Sequence, residues 1–389
     1  MINILSFTTL YPNAVQPVHG IFVENRLRRL AESGRVRLTV VAPVPWFPFA
    51  SPRFGAWGAY ARVPGHERRH GIEIFHPRYR TLPRIGMSVA PRLMARDVRA
   101  LVGRLVKDRR IDLIDAHYFY PDGVAAVTIA GELGLPVCVT ARGTDLNLIP
   151  RFALPRRQIV RAARQADALI TVCDALQQPL LDMGIPPGKI RTLRNGVDLI
   201  HFRPLDRDAA RARWGAKGRT LVSVGGLVER KGHHLIIDAL AGLPETSLLI
   251  AGEGEERRAL ERRIAAAGLG DRVRLLGQVA QADLPSLYSA ADALVLASSR
   301  EGWANVLLEA MACGTPVAAT DVWGTGEVVT APEAGVLISD RSAASIAAGV
   351  QRLLEAPPER AATRAYAEGF SWDATTQGQL ALFESLVRR

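Results

Sequence analysis

The sequence predicts an α/β protein built from two doubly wound parallel-sheet domains, followed by a C-terminal helix. Three observations carry this expectation. The chain has 389 residues, more than one hydrophobic core ordinarily organises. Short apolar runs alternate with helical patterns along both halves, each about as long as a strand buried on both faces. Between the halves lies a turn-rich stretch with no periodic apolar face.

The elements follow in order. Met1–Phe7 reads as a first strand and lacks the cationic start, apolar run and cleavage site of a signal peptide. Phe22–Ala31 reads as the helix after it. Further strands are expected at Arg37–Ala42, Ile111–His117, Pro136–Thr140 and Ala168–Val172. The turn-rich join is Arg194-Asn195-Gly196-Val197-Asp198 and then Phe202-Arg203-Pro204. The pattern resumes at Thr220–Val224, Ser247–Ala251, Val273–Leu276, Ala293–Ala297 and Pro316–Ala319. We therefore expect an N-terminal Rossmann-like domain over 1–199, a second over 200–365, and a terminal helix over 366–389. Periodicity does not say which domain that helix packs on.

Composition narrows the function classes. Apolar residues make up 48% and charged residues 22%, a globular balance with no run of about 18 apolar residues to cross a bilayer. Cys138, Cys173 and Cys313 are an odd number in apolar surroundings, which suits buried thiols in a reducing cytoplasm rather than disulfides or a zinc site. The net charge of +11 is lopsided: residues 1–200 hold 28 Lys and Arg against 15 Asp and Glu, and the remainder 21 against 23. A basic first half favours an anionic partner, and peripheral contact with the inner face of an anionic membrane is expected. No nucleic-acid motif accompanies the charge, so no nucleic-acid partner is expected. Pro43–Tyr60 crowds Trp46, Phe47, Phe49, Phe54, Trp57 and Tyr60 among four prolines; it reads as a loop that grips an acceptor or rests on lipid.

The most informative window runs from Ser298 to Pro316. It reads strand end, loop, helix, glycine stop, strand. Gly314 suits the left-handed residue that closes a helix, and Thr315-Pro316 restarts the chain in extended form. A helix starting near Ala304 would aim its free N–H groups at the crevice beyond the strand ends, where a diphosphate is naturally held. Glu301 precedes that helix and Glu309 lies within it. Eight steps at about 100° bring the two carboxylates within roughly 80° in azimuth, so both can address one crevice.

This window resembles the E-x7-E region of the retaining glycosyltransferases of family 4. The match continues through Gly314-Thr315-Pro316-Val317 and Gly324-Thr325-Gly326-Glu327. Other blocks fall in the family's order: Gly20-Ile21-Phe22-Val23, Asp115-Ala116-His117 to Gly123, Arg194 to Asp198, and Val224-Gly225-Gly226 to Lys231-Gly232. The resemblance covers nearly the whole chain. It implies the GT-B fold, two Rossmann-like domains facing across a cleft, and metal-independent transfer of a hexosyl group to a glycan or lipid-linked acceptor. The co-substrate would be a nucleotide-diphosphate sugar, UDP- or GDP-linked, with no other cofactor. It also implies that Glu309 binds the ribose hydroxyls, that Glu301 contacts the transferred sugar, and that the backbone of Asn305 and Val306 meets the diphosphate. Lys231 would supply charge to that diphosphate, Asn195 and Gly20 would border the donor, and His117 would touch the donor sugar.

Two positions depart from the family pattern. Relatives carry Arg after the first glycine of the Val224 block, where this chain has Gly226; Arg230 is the expected substitute. Arg142 stands in Thr140-Ala141-Arg142-Gly143-Thr144-Asp145 where His is usual, so an acceptor-side role for Arg142 and Asp145 excludes a neutral base there. Gly252-Glu253-Gly254 with Arg257 lacks the third glycine of a dinucleotide fingerprint. Asp206-Arg207-Asp208 reads as a helix cap rather than a metal site. The alternatives are a nucleotide-sugar 2-epimerase of the same fold and a non-catalytic polysaccharide- or membrane-binding module.

Overall fold

The computed structural model describes residues 1–81 and 86–388. It divides into two units, Met1–Asn195 together with Asp373–Arg389, and Gly196–Trp372. The first is built on an eight-stranded sheet ordered Ile190–Thr192, Ala168–Thr171, Val137–Ala141, Leu113–His117, Ile2–Phe7, Val36–Val41, Ile72–Phe75, His66–Arg69. Neighbours are parallel except the final pair. Leu113–His117 and Val137–Ala141 are buried at every residue, which is why they show no apolar/polar alternation.

The chain leaves Ile2–Phe7 on one side and later returns on its other side at Leu113–His117. Crossovers depart in opposite directions there, opening a crevice at the carboxyl ends of the two strands. The loops flanking this switch point are tied together. Thr9 N donates to Asp122 Oδ2 at 2.6 Å, and Thr9 Oγ1 donates to the same carboxyl at 2.9 Å.

The second unit carries a six-stranded parallel sheet ordered Val273–Gly277, Thr246–Ala251, Arg219–Val224, Ala293–Leu296, Val317–Thr320, Gly335–Ile338. Its switch point falls between Arg219–Val224 and Ala293–Leu296. The residues that follow those strands therefore share one crevice.

Each unit has its own core. Leu221, Ile237, Ile250, Val295 and Ile346 anchor the second; Ile4, Leu27, Val40, Ile74 and Leu113 anchor the first. The terminal helix Trp372–Val387 contributes Leu380, Phe383 and Leu386 to the first core, so the chain end returns to the unit that contains its beginning. The preceding helix, Arg360–Glu368, stays with the second unit.

One expectation is corrected. The aromatic segment 43–60 is not a plain loop: it holds the strand Val44–Pro45, a turn at Pro52–Phe54 and the helix Gly55–Arg62. Ser51 caps the turn by accepting from Arg53 N, with Pro52 pre-set for the first helical position. Phe47 gathers Phe49, Phe54 and Trp57 at centroid distances of 5.2–5.9 Å, yet Trp46 and Phe49 remain more than half exposed. Asp206 is a helix cap, accepting from Ala209 N at 3.0 Å. Gly314 adopts φ 75° just beyond the Asn305–Ala312 helix. Cys138, Cys173 and Cys313 are free and buried.

Candidate active site

In the second unit, the loop after Arg219–Val224 runs through Gly225 to the short turn Glu229–Lys231. Gly232 closes it at φ 71°, and a Cβ there would lie 2.1 Å from Ala297 O. Glycine alone allows this loop to rest on the end of the neighbouring strand. The close approach carries Lys231 to the other loop of the switch point. Lys231 Nζ donates to Glu301 Oε1 at 2.5 Å, and Ser298 Oγ donates to the same oxygen at 2.6 Å. Arg230 Nη1 stands 3.9 Å from it. Burial pushes the Glu301 carboxyl up, but Lys231, Ser298 and Arg230 together bring it below its ordinary value. Glu301 is thus ionised and forms an ion pair with Lys231.

The Asn305–Ala312 helix begins beside this pair with Ala304, whose side chain makes no capping bond, as its N-cap. Asn305 and Val306 form its first turn, where backbone N–H groups and the helix dipole favour an anion. Glu309, one turn further on, accepts from Tyr288 OH at 2.9 Å. Burial raises its carboxyl to about 7, with the tyrosine bond pulling the other way. A carboxyl so poised can accept from or donate to a hydroxyl. His233, which the sequence gave no reason to single out, follows Gly232 and pairs through Nδ1 with Ser223 Oγ at 3.1 Å. Burial, assisted by Lys231, lowers it to about 4, so it is neutral.

The first unit gathers a different set. His117 ends the strand Leu113–His117 with no exposed surface. Its Nδ1 lies 2.7 Å from Arg142 Nη2, and its Nε2 lies 3.0 Å from Asp115 Oδ2 without hydrogen-bond alignment. Arginine has no acceptor, so Nδ1 must be the unprotonated nitrogen and the single ring proton sits on Nε2. Burial drives His117 down to about 4, against the opposing pull of Asp115. Arg142 also donates from Nη1 to Asn195 Oδ1 at 3.2 Å. Arg26, 1% exposed, donates to Gln379 Oε1 at 2.8 Å and to Leu193 O at 2.9 Å. Gln379 Nε2 donates to Asp115 Oδ2 at 3.1 Å, so the terminal helix completes the cluster.

Asp145 accepts from Phe119 N, Arg142 N and Gly143 N at 2.7–3.0 Å. Its carboxyl is consumed in organising the turn. Gly20 opens the Ile21–Glu32 helix at φ 68°, where a Cβ would lie 2.3 Å from Leu10 C.

The structure therefore brings Lys231, Arg230 and Glu301 together beside the Asn305–Ala312 helix, and His117, Arg142 and Asn195 together in the other unit. Arg26, Asp115, Gln379, Ser298 and Tyr288 were not foreseen as members. Two left a signal: Asp115 and His117 are two apart on a strand, hence on one face, and Arg26 interrupts the buried stripe Val23, Leu27, Leu30. Among the described residues no group of three or more His, Cys, Asp or Glu is placed to hold a metal.

Two Rossmann-like units, with a cation and a helix N-terminus meeting at the second unit's switch point, define a GT-B glycosyltransferase that acts on nucleotide sugars. The chain belongs to the family 4, group 1 glycosyltransferases: residues 20–200 match the model for glycosyltransferase family 4 and residues 206–370 that for glycosyl transferases group 1. It is 30% identical over 322 residues to a D-inositol 3-phosphate glycosyltransferase of Kineococcus radiotolerans, covering 72% of this chain and 73% of the relative. It is 28% identical over 361 residues to TuaC of Bacillus subtilis (strain 168), a glycosyltransferase assigned to teichuronic acid biosynthesis, covering 90% and 88%. The fold is shared with sucrose-phosphate synthase from Thermosynechococcus elongatus at a TM-score of 0.81, with 21% identity and 99% of both chains covered. It is also shared with Anabaena HepE in complex with UDP-glucose at 0.76, with 21% identity, covering 99% of this chain and 100% of that one.

Proposed function

We propose that this enzyme transfers a hexosyl group, with retention and without a metal, from a UDP- or GDP-linked sugar to a glycan or lipid-linked acceptor. One observation carries the reading: Lys231 and Glu301 lie 2.5 Å apart on the two loops of the second unit's switch point, beside the start of the Asn305–Ala312 helix. As the bond from the anomeric carbon to the β-phosphate oxygen breaks, negative charge builds on the leaving diphosphate. Lys231, with Arg230 in support, and the first-turn amides at Asn305 and Val306 offset that charge from fixed positions. Glu309 binds the ribose hydroxyls, and Glu301 orients the sugar once Lys231 turns to the phosphate. The acceptor oxygen bonds to the same face of the sugar as the departing phosphate, and its proton passes to the leaving phosphate oxygen. His117 contributes as a fixed neutral imidazole rather than as a base, Gly20 and Asn195 border the donor, and Arg142 with Asp145 shapes the acceptor side.

The first half's excess of Lys and Arg supports peripheral contact with an anionic membrane on the cytoplasmic side. No helix among the described residues is long and apolar enough to cross a bilayer.

The test is thermal stabilisation by UDP, GDP, ADP, TDP and CMP, each in EDTA and in magnesium. A ligand at about 100 times its dissociation constant should stabilise by roughly 2.7 kcal/mol. Stabilisation by one diphosphate in EDTA, lost in Lys231→Ala, supports the reading. Stabilisation that requires magnesium, or an inverted anomer in the product, overturns it.

A further inference from the structure

Part of the first unit's positive charge forms a cluster that the transfer chemistry leaves unused. On the helix Gly86–Arg109, Arg92 and Arg96 are one turn apart and exposed. On the helix Ala153–Gln165, Arg156, Arg157, Arg161 and Arg164 are exposed over three turns. Among the described residues none of these six guanidinium groups lies in an ion pair with a carboxylate, and all six project from two neighbouring helices. The helices meet where Gln158 Nε2 donates to Ser88 O at 3.0 Å. Beside that junction runs a groove of about 970 Å³ with Arg92, Arg96 and Arg161 on its walls and Val124, Val127 and Leu135 in its floor. A second hollow of about 540 Å³ lies along the Ala153–Gln165 helix, lined by Arg156, Arg157, Arg161 and Arg164.

The two acids that reach the larger groove do little to balance it. Glu132 stands 3.9 Å from Arg99, and Asp167 is engaged by Val137 N at 2.8 Å. Just before and within the first turn of the same helix, Phe152 and Leu154 are 46% and 47% exposed. Unpaired cations flanked by exposed apolar side chains on an amphipathic helix match the two layers of a bilayer interface, phosphates above and acyl chains below. A guanidinium also fits phosphate oxygens bidentately. Sequence-independent binding of single-stranded nucleic acid calls for a series of aromatic platforms, which these two helix faces lack.

We infer that the arginine-lined groove between the helices Gly86–Arg109 and Ala153–Gln165 is the surface on which this enzyme docks on anionic phospholipid headgroups. It rests on the proposed membrane contact and gives that contact an address. The phosphates lie against the six arginines, and Phe152 and Leu154 enter the headgroup boundary.

The experiment is cosedimentation of the full chain with vesicles of phosphatidylcholine alone or with about 30% phosphatidylglycerol, a composition that carries an anionic surface potential. Three proteins are compared: wild type; the groove variant Arg156→Gln/Arg157→Gln/Arg161→Gln; and a control of equal charge loss, Arg219→Gln/Arg258→Gln/Arg262→Gln. At about fivefold per arginine, the groove variant should lose on the order of a hundredfold in partition to anionic vesicles. The control should stay within a few-fold of wild type. Melting temperature and stabilisation by the nucleoside diphosphate should be unchanged in both, which separates a lost surface from a lost fold or a lost donor site. Wild-type binding that the groove variant retains, or that both variants lose equally, overturns the groove while leaving membrane contact standing. Wild type that ignores anionic vesicles overturns the membrane reading itself. Displacement of wild type by millimolar inorganic phosphate, or tighter binding to polyuridylate than to vesicles at physiological salt, overturns the assignment to a bilayer.

Discussion

Replacing Lys231 with Met keeps the aliphatic stem and removes the charge. The Glu301 carboxylate it leaves behind is 9% exposed at its side chain, against 13% for Lys231. Removing one partner of a buried pair costs about 3–5 kcal/mol, because the remaining charge is both desolvated and uncompensated. Here Ser298 still donates at 2.6 Å and Arg230 still stands 3.9 Å away, so a smaller loss, about 2–4 kcal/mol, is expected. A unit of roughly 180 residues unfolds with an entropy near 0.4 kcal/mol/K. The second unit's melting temperature should therefore fall by about 5–10 °C at pH 7.5. Adding Glu301→Gln removes the orphaned charge, and the double variant should recover at least half of the loss. In Lys231→Met the Glu301 carboxyl is no longer held down, so it takes up a proton more readily and the deficit should shrink as pH falls from 7.5 to 5. Calorimetry on wild type, both single variants and the double variant measures all of this. A Lys231→Met protein that melts within 2 °C (about 0.8 kcal/mol) of wild type, or a double variant no more stable than the single, refutes the argument that this pair is both buried and coupled.

Further outcomes are expected. Glu309 is raised to about 7 by burial, so the folded state binds the extra proton between its ordinary value and 7; that contribution is complete in acid and fades as pH rises through 7. Glu309→Gln should gain on wild type across that window by on the order of 1.4 kcal/mol per pH unit, read from denaturant melts at pH 5, 6 and 7. His117 and His233, lowered to about 4, act in the opposite sense, contributing stability above pH 6.5 that is lost as pH falls through 4. Gly232→Ala should destabilise the second unit by more than about 2 kcal/mol and abolish diphosphate stabilisation, since left-handed strain of about 1–2 kcal/mol adds to the contact with Ala297. Gly268→Ala, with φ 64° and open space around it, should cost only about 1–2 kcal/mol and leave ligand binding intact. Phe383→Ala should remove about 3–5 kcal/mol from the first unit, because this terminal-helix ring is fully buried in that unit's core; limited proteolysis should then cut within residues 1–195 before 196–372.

Much of the second unit's site was legible because its parts are local. Ser298 to Pro316 is a contiguous stretch in which turn chemistry, a helix start, the Gly314 stop and the spacing of Glu301 and Glu309 all act within a few residues. The strand pattern around it likewise follows from burial on both faces, which leaves a continuous apolar run. The Gly225–Gly232 loop announced itself by its glycines, although what Gly232 is for became visible only against Ala297. The aromatic segment reads as a loop because its four prolines outweigh the start of the Gly55–Arg62 helix after them.

The sequence by itself determined the fold class, through periodicity and turn propensity, and its resemblance to family 4 singled out Lys231, Glu301 and Glu309 as candidates. Only the tertiary structure decided what these residues face. Lys231 and Glu301 are 70 positions apart, and strand order brings their loops together. His117 reads from sequence as a residue at a strand end, but burial keeps its ring neutral and Arg142, from the adjacent strand's loop, fixes its tautomer. Gln379 joins that cluster from a helix 264 residues beyond Asp115. Desolvation and long-range pairing depend on which surfaces meet, and that is the property a linear pattern does not encode.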